Sequence, residues 1–198
     1  MKQIANTILF YFMFTGLALV TPNNINAQDM ELSIGDKAPE FEALSAEGDL
    51  WRSSDHVGES ILVVYFYPAA MTGGCTAQAC SFRDNRTRLT EMGAEVVGIS
   101  GDRVENLRIF KLTNSLNFPL LSDMDGAIAG SFGVPVRDGS SITREVDGEE
   151  VVLTRDVTTS RWTFIIDREG KIVYKDTQVD AAGDSEAVIA AIEKLALR

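Results

Sequence analysis

An uninterrupted apolar run, Ile61–Tyr67, is the feature that most constrains the fold of this chain. A strand without alternating polar residues is buried on both faces, so other elements must cover both sides of its sheet. Ala94–Ser100 has the same character. Between the two runs, apolar residues recur at helical spacing from Cys75 to Met92, and Gly93 ends this predicted helix. The succession of strand, helix and strand predicts an α/β domain with a central mixed sheet flanked by helices.

Turn signals predict further elements on either side of this core. Phe41–Leu44 and Leu50–Arg52 flank a glycine-containing turn and predict an N-terminal β-hairpin. Asp102, followed three residues later by a glutamate, predicts a capped helix. An Asp-Gly pair between two apolar stretches predicts an extra hairpin near residues 140–156. Two strands and an amphipathic helix are expected to complete the domain, at residues 162–166, 172–174 and 188–196.

The chain has two cysteines, Cys75 and Cys80, and the first follows the apolar run and the pair Gly73-Gly74. A thiol at the start of a helix lies near unpaired N–H groups and the positive end of the helix dipole, which favour the thiolate. The thiolate is the nucleophilic form of cysteine. We therefore interpret Cys75 as a nucleophile rather than a buried core residue. Cys80 is either a second redox thiol or a core cysteine.

The spacing of the two cysteines limits how they can react with each other. Five residues along an α-helix separate two Cα atoms by about 8.6 Å. A disulfide usually requires about 4.4–6.8 Å. The two sulfurs can therefore bond only if at least a turn of helix unwinds, which suits a catalytic step better than a structural crosslink.

Four other side chains could assist a reactive sulfur. Thr72 could hydrogen-bond the sulfur or a substrate oxygen, or it could simply cap the helix. Pro68 could form a rigid wall beside the thiol, or it could only end the strand. Arg161 would stabilise negative charge if it reached the thiol, although the sequence alone favours a solvated arginine at the end of a strand. Gln78, one turn after Cys75, could orient Arg161 through a hydrogen bond.

The remaining candidate ligands are too few for a metal site. His56 is the only histidine, and it is expected to lie in a loop. A structural zinc ion is usually bound by four cysteine or histidine side chains. No metal and no organic cofactor is expected.

The N-terminal residues have the pattern of a secretory signal. Lys2 is followed by the apolar run Ile8–Val20 and by a polar stretch that ends at Ala27. We expect a signal peptide over residues 1–27, one domain over 28–198, and export to the periplasm or the medium; an uncleaved membrane anchor is the alternative. The formal net charge of −11 argues against nucleic acid and anionic membranes as partners.

Taken together, these motifs resemble a known family. Pro68-x-x-x-Thr72-x-x-Cys75 matches the peroxiredoxin active-site signature. The chain from about Ile34 onward is similar to the Q-type subgroup, also named bacterioferritin comigratory protein, in YFYPAAMTGGCTAQACSFRD, EVVGIS, FPLLSD and RWTFIID. The resemblance implies a thioredoxin-like fold and a thiol-dependent peroxidase that reduces hydrogen peroxide and organic hydroperoxides. It also implies the site residues: Cys75 would be peroxidatic and Cys80 resolving, with Thr72, Pro68 and Arg161 activating the substrate.

The implied cycle passes through a sulfenic acid on Cys75 and a disulfide with Cys80, which a thioredoxin-like protein reduces. A monomer is expected, because no further cysteine follows the last predicted helix. Two alternatives remain open, a thiol–disulfide oxidoreductase and a non-enzymatic redox sensor. The chain departs from the family in Gly73-Gly74 where Pro-Gly is common, in Gln78 where many members have glutamate, and in a longer stretch at Arg137–Ser160.

Overall fold

The computed structural model describes residues 32–197, so the predicted signal peptide lies outside the described residues. The strands are β1 Glu42–Ser45, β2 Leu50–Arg52, β3 Ile61–Phe66, β4 Ala94–Ser100, β5 Leu120–Ser122, β6 Val136–Asp138, β7 Ser141–Val146, β8 Glu149–Thr154, β9 Val157–Thr159, β10 Trp162–Ile166 and β11 Ile172–Asp176. The helices are α1 Gly73–Asp84, α2 Arg86–Glu91, α3 Val104–Thr113, α4 Ala127–Ser131 and α5 Asp184–Ala196.

Seven of these strands form one mixed sheet in the order β11-β10-β3-β4-β5-β1-β2. The pairs β3–β4 and β4–β5 are parallel, and the remaining pairs are antiparallel. β3 lies in the interior of the sheet between β10 and β4, and its residues Leu62–Phe66 are buried. The expected central mixed sheet and the N-terminal hairpin β1–β2 are thus confirmed.

The alternation of side chains along β3 divides the core into two layers. Val63 and Tyr65 point to the face covered by α1, α2, α3 and α5. Leu62, Val64 and Phe66 point to the opposite face, which is covered by α4 and by the segment before β1. Because both faces are covered, the strand needs no polar residue, as its sequence predicted. Within residues 32–197, no helix is long and apolar enough to cross a membrane.

The single helix predicted from Cys75 to Met92 is wrong, since the structure has two helices that meet at Asn85. This residue has φ −91° and ψ 5°, outside the helical region. Its amide Nδ2 donates a hydrogen bond of 2.9 Å to Ser185 Oγ. This bond ties the junction of α1 and α2 to the first turn of α5. Helical spacing continues across the break, which is why the apolar pattern did not reveal it.

The longer stretch noted in the sequence, residues 137–160, is called the insert below. The predicted hairpin is confirmed as β7–β8, paired from Ser141↔Thr154 to Val146↔Glu149. Asp147 and Gly148 both have positive φ, at 52° and 84°, as two-residue hairpin turns of type I′ require. β9 of the insert pairs with β6, and this second small sheet was not predicted.

Candidate active site

Cys75 is the third residue of α1 and lies where the chain enters this helix after β3. Only 2% of its surface is exposed. The N–H groups in the first turn of a helix have no partner within the helix, so they are available to a sulfur or a bound oxygen. Cys80 lies on the same helix and is half-buried, and both cysteines are free thiols.

Arg161 reaches the sulfur directly. Its Nη2 donates to Cys75 Sγ at 3.2 Å. The register of the sheet explains this contact, because Trp162 on β10 pairs with Phe66, the last residue of β3. Arg161 therefore stands beside the point where the chain leaves β3 for α1. The sequence alone favoured a solvated arginine, and that interpretation is wrong.

The other arm of the guanidinium is held by a buried polar network. Arg161 Nη1 donates to Gln78 Oε1. Gln78 Nε2 in turn donates to Asp184 Oδ2 at 2.6 Å, and Thr163 Oγ1 donates to the same oxygen at 2.8 Å. Gln78, Thr163 and Asp184 are all buried. Gln78 thus orients Arg161, as the sequence suggested, and it does so from a fixed position.

Sequence reasoning missed Asp184. The helix predicted over residues 188–196 begins at Asp184 in the structure, so the sequence placed this carboxylate outside any element and gave no signal of a link to Gln78. Burial raises the pKa of Asp184 to about 6, against the opposing effect of the hydrogen bonds from Gln78 and Thr163. Its Oδ1 is buried, and no described residue bonds to it, which is consistent with a carboxyl that retains a proton more readily than usual.

The loop between β3 and α1 places Pro68 and Thr72 beside the thiol-bearing helix. Pro68 is half-buried directly after the strand. Thr72 is the N-cap residue of α1, but its side chain makes no capping bond. Instead, Thr72 Oγ1 donates its proton to the carbonyl of Ala69 at 2.8 Å. The hydroxyl oxygen therefore retains lone pairs with which it can accept a hydrogen bond.

The predicted helix cap at Asp102 is wrong. α3 begins at Val104 with Arg103 as its N-cap residue, and no side chain caps it. Asp102 is fully buried, and its Oδ2 accepts a hydrogen bond of 2.7 Å from the backbone N–H of Ala70 in the loop before α1. Its Oδ1 lies 3.3 Å from Arg155 Nε in a buried ion pair. A motif that resembled a cap therefore belongs to the support of the active-site loop.

His56 has partners other than the thiols. Its ring stacks on Trp51 with centroids 4.5 Å apart, and its Nδ1 lies 2.8 Å from Glu95 Oε2. In the part of the chain that the structure describes, no group of three or more His, Cys, Asp or Glu side chains is arranged to hold a metal ion.

Comparison with known proteins identifies the family. Residues 34–175 match the model of the AhpC/TSA family. A putative peroxiredoxin of Mycobacterium tuberculosis is 41% identical over 153 residues, which cover 77% of this chain and 89% of the relative. Peroxiredoxin Bcp of Escherichia coli K12 is also 41% identical, over 143 residues that cover 72% of this chain and 84% of the relative.

Solved structures agree with the sequence relatives. The crystal structure of peroxidoxin BcpB from M. tuberculosis has a TM-score of 0.68 and 31% identity, and the match covers 82% of this chain and 97% of that one. A structure of the Xanthomonas campestris bacterioferritin comigratory protein, from work on its alkyl peroxide reduction activity, has a TM-score of 0.64 and 29% identity, with coverages of 79% and 92%.

A buried thiol at a helix start beside an arginine, carried on a thioredoxin-like fold, defines a thiol-based redox enzyme. The chain belongs to the AhpC/TSA family and is a peroxiredoxin of the Bcp and Q type, a thiol-dependent peroxidase. The resemblance, the fold class and the enzyme class expected from the sequence are confirmed.

Replacing Asp184 with asparagine tests the buried network through its pH dependence. Because the folded-state pKa of about 6 exceeds the value of about 3.9 for an unfolded aspartate, the folded protein binds this proton more tightly. The stability contributed by this carboxyl therefore falls as pH rises between the two values. The free energy of unfolding of Asp184→Asn should therefore rise, relative to that of wild type, by about 1.5 kcal/mol between about pH 5 and about pH 7.5.

Urea denaturation at the two pH values measures this difference. Asp180→Asn, at an exposed carboxylate just upstream, is the matched control for the loss of one negative charge. If the free energies of unfolding of Asp184→Asn and wild type change with pH in parallel, the raised pKa of Asp184 is contradicted.

Proposed function

We propose that this peroxiredoxin reduces hydrogen peroxide and organic hydroperoxides to water and alcohols, with Cys75 as the peroxidatic thiol and Cys80 as the resolving thiol. The observation that carries the proposal is the contact of 3.2 Å from Arg161 Nη2 to Cys75 Sγ, made by a guanidinium whose other arm is fixed by Gln78. Organic hydroperoxides are included because the Xanthomonas relative was studied for alkyl peroxide reduction.

In the first step, the Cys75 thiolate attacks the terminal oxygen of the hydroperoxide. The S–O bond forms as the O–O bond breaks, which leaves a sulfenic acid on Cys75 and an alkoxide or hydroxide that takes a proton from water. Arg161 and the N–H of Cys75 stabilise the charge that moves from sulfur to the leaving oxygen. Thr72 Oγ1 accepts a hydrogen bond from the O–H of the substrate, because its own proton is donated to Ala69. Pro68 shields the sulfur from water on the side of the loop.

In the second step, the sulfenic acid condenses with the thiol of Cys80, and water is released. Both residues lie on α1, so the start of this helix must unwind before the sulfurs meet. A thioredoxin-like dithiol protein then reduces the disulfide. The working unit is a monomer in this proposal, because one chain carries both thiols.

Serine substitutions separate the two thiols. We expect Cys75→Ser to lose peroxide consumption with any reductant, because serine is not ionised at neutral pH. Cys80→Ser should keep turnover with dithiothreitol, which reduces the sulfenic acid directly, and lose most of it with a thioredoxin. Peroxide consumption measured with both reductants checks this. Wild-type activity in Cys75→Ser would end the proposal, and insulin reduction without peroxide turnover would favour a thiol–disulfide oxidoreductase.

A conservative change at Arg161 tests the role of the guanidinium. Arg161→Lys keeps the positive charge but cannot contact Cys75 and Gln78 with two separate arms. We expect kcat/KM for hydrogen peroxide to fall by roughly 10²-fold, as for the loss of one preorganised donor. Arg168→Lys, at an exposed arginine near the end of β10, is the control and should match wild type. A lysine variant as active as this control would remove Arg161 from the mechanism.

We also propose that residues 1–27 direct export to the periplasm or the medium and are then removed. The support is the charged start, the apolar run and the small residue at position 27. The exported protein should begin at Gln28, and intact mass measured on cell fractions checks this. Full-length chain in the membrane fraction would instead identify the segment as an anchor.

A further inference from the structure

The insert, residues 137–160, contacts the loop that precedes the nucleophile at several points. This loop, Tyr67–Thr72, is called the active-site loop below. Thr159 Oγ1 donates to the carbonyl of Tyr67 at 3.0 Å, at the start of the loop. Arg144 Nε donates to the carbonyl of Met71 at 2.8 Å, near its end. The insert therefore holds both ends of the loop from outside the central sheet.

A third link runs through the middle of the loop. The N–H of Ala70 donates to Asp102, and Asp102 is paired with Arg155 of the insert. Asp102 and Arg155 are 0% and 4% exposed, so this ion pair is screened little by solvent. The insert is itself braced on α3, because Asn106 Nδ2 donates to the carbonyl of Thr154 at 2.7 Å. The hairpin β7–β8, which carries Arg144, is thus anchored to α3 at its base.

The bond from Arg144 holds a residue in an unfavourable backbone conformation. Met71 has φ 62°, a left-handed value that is unfavourable for a residue other than glycine. Such a conformation persists only where the surroundings enforce it. Met71 stands two residues before α1, where unwinding must begin for Cys75 to reach Cys80. Release of its carbonyl is therefore an early event in that rearrangement.

We propose that Arg144 is a positioning residue that latches the active-site loop in its peroxide-reactive conformation and thereby sets the rate at which the disulfide closes. The inference rests on the proposed function, in which Cys75 and Cys80 condense. Opening of the latch exposes the Cys75 sulfenic acid to the Cys80 thiol; the S–S bond forms, the S–O bond breaks and water leaves. Peroxide supplies the oxidising equivalents, so no other oxidant is needed.

The latch has a consequence at high peroxide. While the active-site loop stays closed, the Cys75 sulfenic acid can react with a second peroxide and become a sulfinic acid. Slow opening favours this outcome, and fast opening favours the disulfide. The bond between Arg144 and Met71 would therefore set the peroxide concentration at which the enzyme is inactivated.

Rapid mixing of reduced full-length protein with hydrogen peroxide, followed by acid quench and mass spectrometry, resolves the two steps. The first step adds one oxygen, and the second loses water. We expect Arg144→Ala to accelerate disulfide closure about tenfold, as for the loss of a hydrogen bond to a charged group, and to change the first step less than about twofold. The sulfinic product at excess peroxide should fall in parallel. Arg144→Lys, which can still donate to the carbonyl, should restore slower closure.

Arg137→Ala is the matched control, because Arg137 is an exposed arginine of the same insert on β6. It should close the disulfide at the wild-type rate. Equal closure rates in Arg144→Ala, Arg137→Ala and wild type would overturn the latch while leaving the peroxidase mechanism intact. A wild-type protein that forms neither the sulfenic acid nor the disulfide would instead refute the proposed function. Arg144→Met keeps a long side chain but has no N–H donor, so it replaces the alanine variant should that variant fold poorly. It should also close the disulfide about tenfold faster than wild type, and closure at the rate of Arg137→Ala would overturn the latch.

Discussion

The chemistry proposed for this peroxiredoxin depends on one guanidinium held between a sulfur and a buried amide. Arg161 contacts Cys75 with one arm and Gln78 with the other. An arginine with one partner could rotate away, because its side chain is long and flexible. The second partner removes that freedom before substrate arrives. Preorganised charge of this kind is effective because the protein does not reorganise during the reaction.

The amide is itself fixed by a carboxyl, so the site extends further into the protein than the reacting atoms. Asp184 accepts hydrogen bonds from Gln78 and Thr163, which lie on α1 and β10. The first turn of α5 is thereby joined to the two elements that carry the thiol and the arginine. Burial raises the pKa of Asp184 to about 6, so the charge behind the amide changes within a pH range close to neutrality.

The proposed cycle makes two conflicting structural demands on the enzyme. Attack on peroxide needs an intact start of α1, because Cys75 uses the N–H groups and the arginine gathered there. Closure of the disulfide with Cys80 needs the same turn to open, since a helix keeps the two Cα atoms too far apart. A loop with a strained residue, Met71, held by bonds from outside the sheet, can satisfy both demands. In the proposed latch, the strain at Met71 favours opening, and the bonds from Arg144 and the Asp102–Arg155 pair oppose it.

The sequence by itself determined the buried strands of the central sheet, the candidate nucleophile and the family, because these depend on local patterns. The apolar run Ile61–Tyr67 predicts a strand buried on both faces, and the position of Cys75 after it predicts a thiol at a helix start. Thr72 was also found, since it lies on the same stretch of chain. The break at Asn85 was not, because helical spacing continues across it.

Only the tertiary structure decided which distant residues complete the site. Apart from the family resemblance, the residues around Arg161 favoured a solvated arginine, and the register of β10 against β3 shows how it reaches the sulfur. Asp102 resembled a helix cap and Asp184 lay outside the predicted last helix, yet one supports the active-site loop and the other fixes Gln78. Contacts between residues far apart in the chain leave no periodic signal in the sequence. They arise from sheet pairing and helix packing, so they can be seen only once the chain has folded.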